Sequence, residues 1–354
     1  MKTKIVRINS DQKGLDKKQI QEELNALAQI IKEGGLVAIP TETVYGLAAD
    51  GLNPKAIAKI FEAKNRPMDN PLILHLSQIE DIHPLVEDVE SEILGKLDAL
   101  WPGPLTVVFK KSHLVPKEIS AGLNTVAIRI PAKKLTRDFI KACGVPLAAP
   151  SANLSTKPSP TDAASVLEDL DGIIDAVLDG GPTNIGLEST VLDLTAGQAK
   201  ILRPGYFTRE MLSAYWPEVD YDLALKNSQV IPKSPGQKYK HYAPNAKVRV
   251  YVGEAEAFSK KADELIKNTD QKIGLMLFDE DQPSEQAYET FSLGSMAALD
   301  TMAARLFSGL RYMDQKGVDL ILVHGVKEEG FGLSIMNRLK KAASGNVYNL
   351  GGNE

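Results

Sequence analysis

LVAIPTETVYGL, residues 36–47, is the stretch whose reading decides the fold. LVAIP reads as a strand buried on both faces, and Pro40 releases the chain into the polar turn TETVYG. Upstream, Ile20, Leu24, Leu27, Ile30 and Ile31 recur at helical spacing from Asp16, and Gly34-Gly35 ends that helix. Helix, buried strand and polar turn make one α/β step. The step recurs through a helix at 55–64, PLILHL (71–76), LTVVFK (105–110), TVAIRIP (125–131), a helix at 135–144 and VPLAAP (145–150). It continues through a helix at 161–172, STVLDL (189–194) and AKILRPG (199–205), so the first α/β domain is expected to span 1–215.

A second alternation begins at VRVYVG (248–253). It runs through a helix at 254–267, KIGLMLF (272–278), a helix near 296–316, VDLILVHGV (318–326) and a helix near 333–344. This predicts a smaller Rossmann-like parallel sheet over 248–354. Residues 216–247, with SPGQKYKHYAP (234–244) at their centre, read as an interdomain linker.

Two domains also suit a chain of 354 residues. One quarter of the residues are charged and 43% are apolar, which excludes a disordered or fibrous chain. The formal charge of −5 argues against indiscriminate binding to nucleic acid or an anionic membrane. That average hides one feature. Between Asp222 and Glu254 lie Lys226, Lys233, Lys238, Lys240, Lys247 and Arg249, and no acid.

A single cysteine, Cys143, allows no internal disulfide and reads as a buried structural thiol in FIKACGVPLAAP. The five histidines are scattered, so no metal-site spacing occurs. No secretory leader or stretch of about 18 apolar residues is apparent, and a cytoplasmic location is expected. P-loop, dinucleotide and nucleophile-elbow fingerprints are missing, so an ordinary nucleotide triphosphatase, dehydrogenase or serine hydrolase is not expected.

Polar residues instead collect at strand ends, where ligands of open α/β sheets bind. PTETVYGL supplies Thr41, Thr43 and Tyr45. KNRP supplies Lys64 and Arg66, two cations able to converge on a polyanion. Asn70 opens a strand that carries His75, and TVAIRIP places Arg129 in an apolar strand. That guanidinium needs an anion, either a structural carboxylate or a ligand. Ser151, Asn153 and Ser159 follow the next strand, with Ser189 and Arg203 further on.

The ordered set PTETVYGL, KNRP, NPL-x-x-H, PGPLT, R-x-P, PSAN, STV and RPG resembles the YrdC-like threonylcarbamoyl-AMP synthases. The SPGQKYKHYAP string and the C-terminal half are similar to the longer, two-domain members. The resemblance implies a twisted open α/β domain with a concave basic crevice, followed by the Rossmann-like domain. It implies synthesis of L-threonylcarbamoyladenylate from L-threonine, bicarbonate and ATP, with release of pyrophosphate. The product would serve modification of adenosine 37 in tRNAs reading codons that begin with A.

Carried onto this sequence, the resemblance places ATP on Arg66, Asn70, Thr125, Ser151, Ser159 and Arg203, and Tyr242 of the linker is expected to cover it. It places threonine on Thr43, His75, Arg129, Ala149 and Ser189. Lys64, Arg66, Ser151 and Asn153 are the expected catalytic set, acting by positioning and charge neutralisation. Mg²⁺ is expected to ride on the ATP phosphates rather than on a protein cage. Lys238, Tyr239, Lys240, His241 and Tyr242 are expected to form a lid over ATP. The expected partners are the downstream threonylcarbamoyl-transferring machinery and, as a further candidate, tRNA, with neither DNA nor membrane. Two alternatives stand beside this reading: an RNA-binding module without chemistry, and a carbamoyl-adenylate enzyme with another substrate.

Overall fold

Asp16 caps the first helix, Lys17–Lys32: its carboxylate accepts from the Gln19 N–H while the Gln19 side chain accepts from the Asp16 N–H. Leu24, Leu27, Ala28 and Ile31 form the buried stripe of that helix. The next helix, Pro54–Lys64, starts on an Asn53 cap with proline in its first turn. It stops at Asn65, whose left-handed φ of 49° turns the chain outward into Arg66. Local chemistry therefore sets where KNRP emerges. The computed structural model describes residues 2–8, 16–225 and 242–351.

Among the described residues, eleven strands form the first sheet. They are β1 (Lys4–Arg7), β2 (Val37–Ile39), β3 (Gly46–Asp50), β4 (Ile73–His75), β5 (Leu105–Lys110), β6 (Thr125–Arg129), β7 (Leu147–Ala148), β8 (Ala176–Asp179), β9 (Thr190–Asp193), β10 (Lys200–Arg203) and β11 (Asp220–Tyr221). Their lateral order is β1-β8-β2-β3-β7-β4-β6-β5-β9-β10-β11, with parallel and antiparallel neighbours mixed. Both faces are buried. On β5, Leu105, Val107 and Phe109 enter the larger core with Leu74, Ile128 and Leu192. Val108 turns the other way, into a small cluster with Ile73, Ala127, Val191 and Leu202. Two-sided burial explains why these strands read as continuous apolar runs.

The second sheet comprises, among the described residues, β12 (Lys247–Val252), β13 (Ile273–Leu277), β14 (Glu289–Ser292), β15 (Leu320–Gly325) and β16 (Val347–Asn349). It is parallel throughout, in the order β14-β13-β15-β12-β16. His324 is fully buried between Phe258 and Phe278, with Nδ1 2.8 Å from the Asp281 carboxylate and Nε2 2.9 Å from the Gly253 carbonyl. Both ring nitrogens are engaged, so this histidine belongs to the core. Among the described residues, no helix is long and apolar enough to cross a membrane.

The chain divides into two units, and their borders differ from the expected domain limits. The first sheet continues past 215 to Tyr221 on β11, which pairs with β10, and Val219 lies in the core. The second unit takes in 156–159 and 185–187 as well as the C-terminal half. Within that unit, Arg311 donates to the Pro158 carbonyl from both Nε (3.1 Å) and Nη2 (2.6 Å). Gly186, at φ 75°, lies so close to the 299–315 helix that a Cβ there would meet the Ala303 carbonyl oxygen at 2.5 Å. Contacts of this kind between distant segments leave no periodic trace in a sequence.

Candidate active site

Strand register assembles the site. His75 pairs with Arg129, Arg129 with Thr106, Thr106 with Val191 and Val191 with Arg203, giving one row across β4, β6, β5, β9 and β10. Partners in register share a face of the sheet. His75 and Arg129, 54 positions apart in the chain, thus become neighbours because their strands pair.

The expected anion for Arg129 proves to be structural. Arg129 Nη2 donates to Glu42 Oε1 at 2.6 Å, Nη1 donates to Thr43 Oγ1 at 2.8 Å, and Nε reaches the Gly103 carbonyl at 3.4 Å. The other Glu42 oxygen accepts from the Ala132 N–H at 3.0 Å. A guanidinium has five N–H donors. Two of them, one on each terminal nitrogen, are therefore uncommitted among the described residues.

Burial, reinforced by the Arg129 charge, pushes the His75 imidazole down to about 3, so the ring is neutral. Its Nδ1 lies 3.3 Å from the Ile73 carbonyl, which can only accept, so the proton sits on Nδ1 and Nε2 is left as an acceptor. On the far side of the row, Ser189 Oγ lies 2.7 Å from Thr106 Oγ1 and accepts from Arg203 Nη2 at 3.1 Å. Arg203 Nε also holds the Ser189 carbonyl at 3.0 Å. Ala149 is buried and its N–H donates to the Ile73 carbonyl, which places it beside the start of this row.

Lys64 is almost wholly buried, and its Nζ donates to the carbonyls of Ser151 and Asn153. A cation at the end of the 54–64 helix thereby fixes the PSAN turn, which also bridges to Gly46 through Ser151. Asn153 is buried, with Nδ2 donating to the Leu154 carbonyl at 2.8 Å. Arg66 is half-buried, with Nη2 3.3 Å from the Pro71 carbonyl. Asn70 is buried, and its Nδ2 has no hydrogen-bond partner among the described residues. An orphaned buried donor of this kind calls for an acceptor beyond the described residues. Thr125 opens β6, four residues from Arg129, or roughly 13 Å at strand spacing. Thr125 thus stands at the opposite end of β6 from Arg129.

Two sequence nominations change. Tyr45 does not join the row: it is fully buried and its hydroxyl donates to the Gly181 carbonyl at 2.7 Å. Ser159 is buried within 156–159, a segment of the second unit. Of the proposed lid, Lys238, Tyr239, Lys240 and His241 lie outside the described residues. Tyr242 is described, with φ 63° and its ring stacked on Phe307 at 5.1 Å. The next residue, Ala243, donates to the Thr156 carbonyl at 2.8 Å. All of these contacts lie inside the second unit.

Glu42 and Thr106 were not nominated from the sequence. Glu42 lay in view within PTETVYGL, and a cation in an apolar strand calls for such an acid. Thr106 reads simply as a polar interruption of the apolar run LTVVFK.

The family described as telomere recombination, comprising the Sua5, YciO and YrdC proteins, matches residues 29–205. The family described as threonylcarbamoyl-AMP synthase, C-terminal domain, matches residues 207–344. Threonylcarbamoyl-AMP synthase of Pyrococcus abyssi is 45% identical over 327 residues, 91% of this chain and 94% of that protein. The Bacillus subtilis enzyme of the same name is 42% identical over 322 residues, 90% of this chain and 92% of its own length. The crystal structure of P. abyssi Sua5 complexed with L-threonine superposes with a TM-score of 0.91 at 42% identity, covering 99% of this chain and 100% of that one.

Proposed function

This chain belongs to the two-domain threonylcarbamoyl-AMP synthase family, and we propose that it makes L-threonylcarbamoyladenylate from L-threonine, bicarbonate and ATP. The observation that carries the reading is the state of Arg129. Its charge is already balanced by Glu42, yet two N–H groups remain to grip a carboxylate. Neutral His75 offers Nε2 as an acceptor for a substrate hydroxyl or amine, and Thr43 and Ser189 supply hydroxyls on either side. These groups match the carboxylate, amine and hydroxyl of threonine. The L-threonine complex of the Pyrococcus protein supports the same assignment.

In the proposed reaction the threonine amine attacks bicarbonate carbon. A C–N bond forms, water leaves, and the ammonium proton passes to solvent. A carbamate oxygen then attacks the α-phosphorus of ATP, and the bond to the β-phosphate oxygen breaks as pyrophosphate departs. No protein nucleophile is needed. This chain's residues bind and orient: Arg66, Asn70, Thr125, Ser151 and Arg203 for ATP, with Lys64 holding the 151–153 turn in shape. Mg²⁺ would ride on the ATP phosphates, where it neutralises charge. The adenylate would be consumed by a threonylcarbamoyl-transferring activity acting on tRNA, which puts the enzyme in the cytoplasm with its substrates.

The test is pyrophosphate release with ATP, Mg²⁺, bicarbonate and one amino acid at a time. Valine, which leaves the hydroxyl-reading groups unpaired, is rejected by on the order of 10⁴-fold. Serine, lacking only a methyl group, is rejected by roughly 10- to 200-fold. Equal turnover of valine and threonine overturns the assignment.

A further inference from the structure

Thr106 on β5 has no exposed surface, and among the described residues its hydroxyl meets Ser189 Oγ alone, at 2.7 Å. Ser189 Oγ also receives a hydrogen bond from Arg203 Nη2 at 3.1 Å. A serine hydroxyl has one proton and two lone pairs, and a guanidinium only donates. One lone pair of Ser189 is thus filled by Arg203, and Thr106 decides what happens to the rest. If Ser189 donated to Thr106, the Thr106 proton would be stranded without an acceptor beside the apolar Val108, Ala127 and Val191 cluster. Buried polar groups avoid that condition. If Thr106 donates, both lone pairs of Ser189 are filled, and the Ser189 proton remains for a ligand.

We propose that Thr106 is a positioning residue that fixes Ser189 as a hydrogen-bond donor. The ligand atom received at Ser189 is then an acceptor, a carboxylate or carbamate oxygen of the amino-acid substrate, and not one of its N–H or O–H hydrogens. This deepens the functional reading above and rests on it. It also ties the two substrates together, since the oxygen of Ser189 is held by the same Arg203 that is proposed to contact ATP.

Thr106→Val keeps the shape and removes the donor. The expected result is a KM for threonine raised about tenfold, an unchanged KM for ATP and a near-native melting temperature. Thr106→Ser restores the threonine KM to within about twofold. In a Ser189→Ala background, Thr106→Val adds nothing further, because its effect passes through the missing hydroxyl. A threonine KM unaffected by Thr106→Val overturns the proposal, as does a rise of equal size with and without Ser189. If Thr106→Val does not fold, Thr106→Cys carries the same test through its weaker donor. A wild-type enzyme that selects threonine alongside an indifferent Thr106→Val sinks this inference alone, whereas a wild type indifferent to threonine sinks the functional reading first.

Discussion

Arg129 Nη2 and Glu42 Oε1 stand 2.6 Å apart, with 5% and 10% of their side chains exposed. The pair lets a cation sit inside an apolar strand without waiting for substrate, and it aims the guanidinium by holding one edge of its fork. Thr43 and the Gly103 carbonyl hold two more donors, so the remaining pair points in a fixed direction before any carboxylate arrives. Such preorganisation lowers the entropy lost on binding.

Breaking this pair from one side leaves a buried charge uncompensated. Glu42→Ala is expected to destabilise the protein by about 3–5 kcal/mol. The double variant Glu42→Ala/Arg129→Met is expected to lose less than Glu42→Ala alone. Chemical denaturation of the four proteins in that cycle measures the difference. L-Threonine should recover part of the loss in Glu42→Ala, because its carboxylate replaces the missing anion. A loss in the double variant equal to the sum of the losses in Glu42→Ala and Arg129→Met would show that the pair is not coupled.

Lys64→Met tests the turn at 151–153. The substitution preserves the aliphatic stem but removes the donors to the Ser151 and Asn153 carbonyls. kcat/KM for ATP should fall at least about tenfold, equivalent to about 1.4 kcal/mol of transition-state stabilisation. Threonine binding, measured calorimetrically, should change little. A fall confined to threonine would contradict that role for Lys64.

The buried neutral imidazole of His75 makes stability depend on pH. Its folded value is depressed from 6.5 to about 3, so below 6.5 the unfolded chain takes up a proton that the folded protein refuses. Unfolding free energy therefore falls as pH drops through that window, by up to about 1.4 kcal/mol per pH unit. His75→Asn removes this component. Between pH values of about 6.5 and 4.5, its melting temperature should decline less than that of the wild type, and parallel declines would contradict the buried neutral state.

Cys143 lies in the core with Phe139 and Ile140, and burial pushes its thiol up to about 12. The thiolate is the reactive form. Maleimide labelling of the native protein at neutral pH is expected to be negligible over a time in which the denatured chain reacts fully. Rapid native labelling would show that the cysteine is accessible.

The legible elements were those with strong local patterns. The 17–32 and 54–64 helices follow from an apolar stripe and a capping residue, and β5 and β6 from apolar runs buried on both faces. Five strands escaped: β1, β8, β11, β14 and β16 are two to four residues long, too short for a period to register. β3, Gly46–Asp50, was also missed, since its start lies inside what reads as a polar turn. The linker was expected from 216, but burial of Val219 and pairing of β11 carry the first sheet further. Tyr45 was nominated because it neighbours Thr43, yet Asp179 and Gly181, more than 130 positions away, draw its hydroxyl aside.

What the sequence determined by itself was the chemistry available. Arg129 in an apolar strand, Lys64 and Arg66 at a helix end, and serines and threonines at strand termini are local facts, and their order along the chain carries the family. What only the tertiary structure decided was which of these groups meet and in what state. Strand register set Arg129 between His75 and Thr106, burial made His75 neutral, and Glu42 rather than a ligand proved to be the counter-ion. Hydrogen-bond partners and desolvation depend on distances between residues far apart in the chain, and a one-dimensional pattern does not contain those distances.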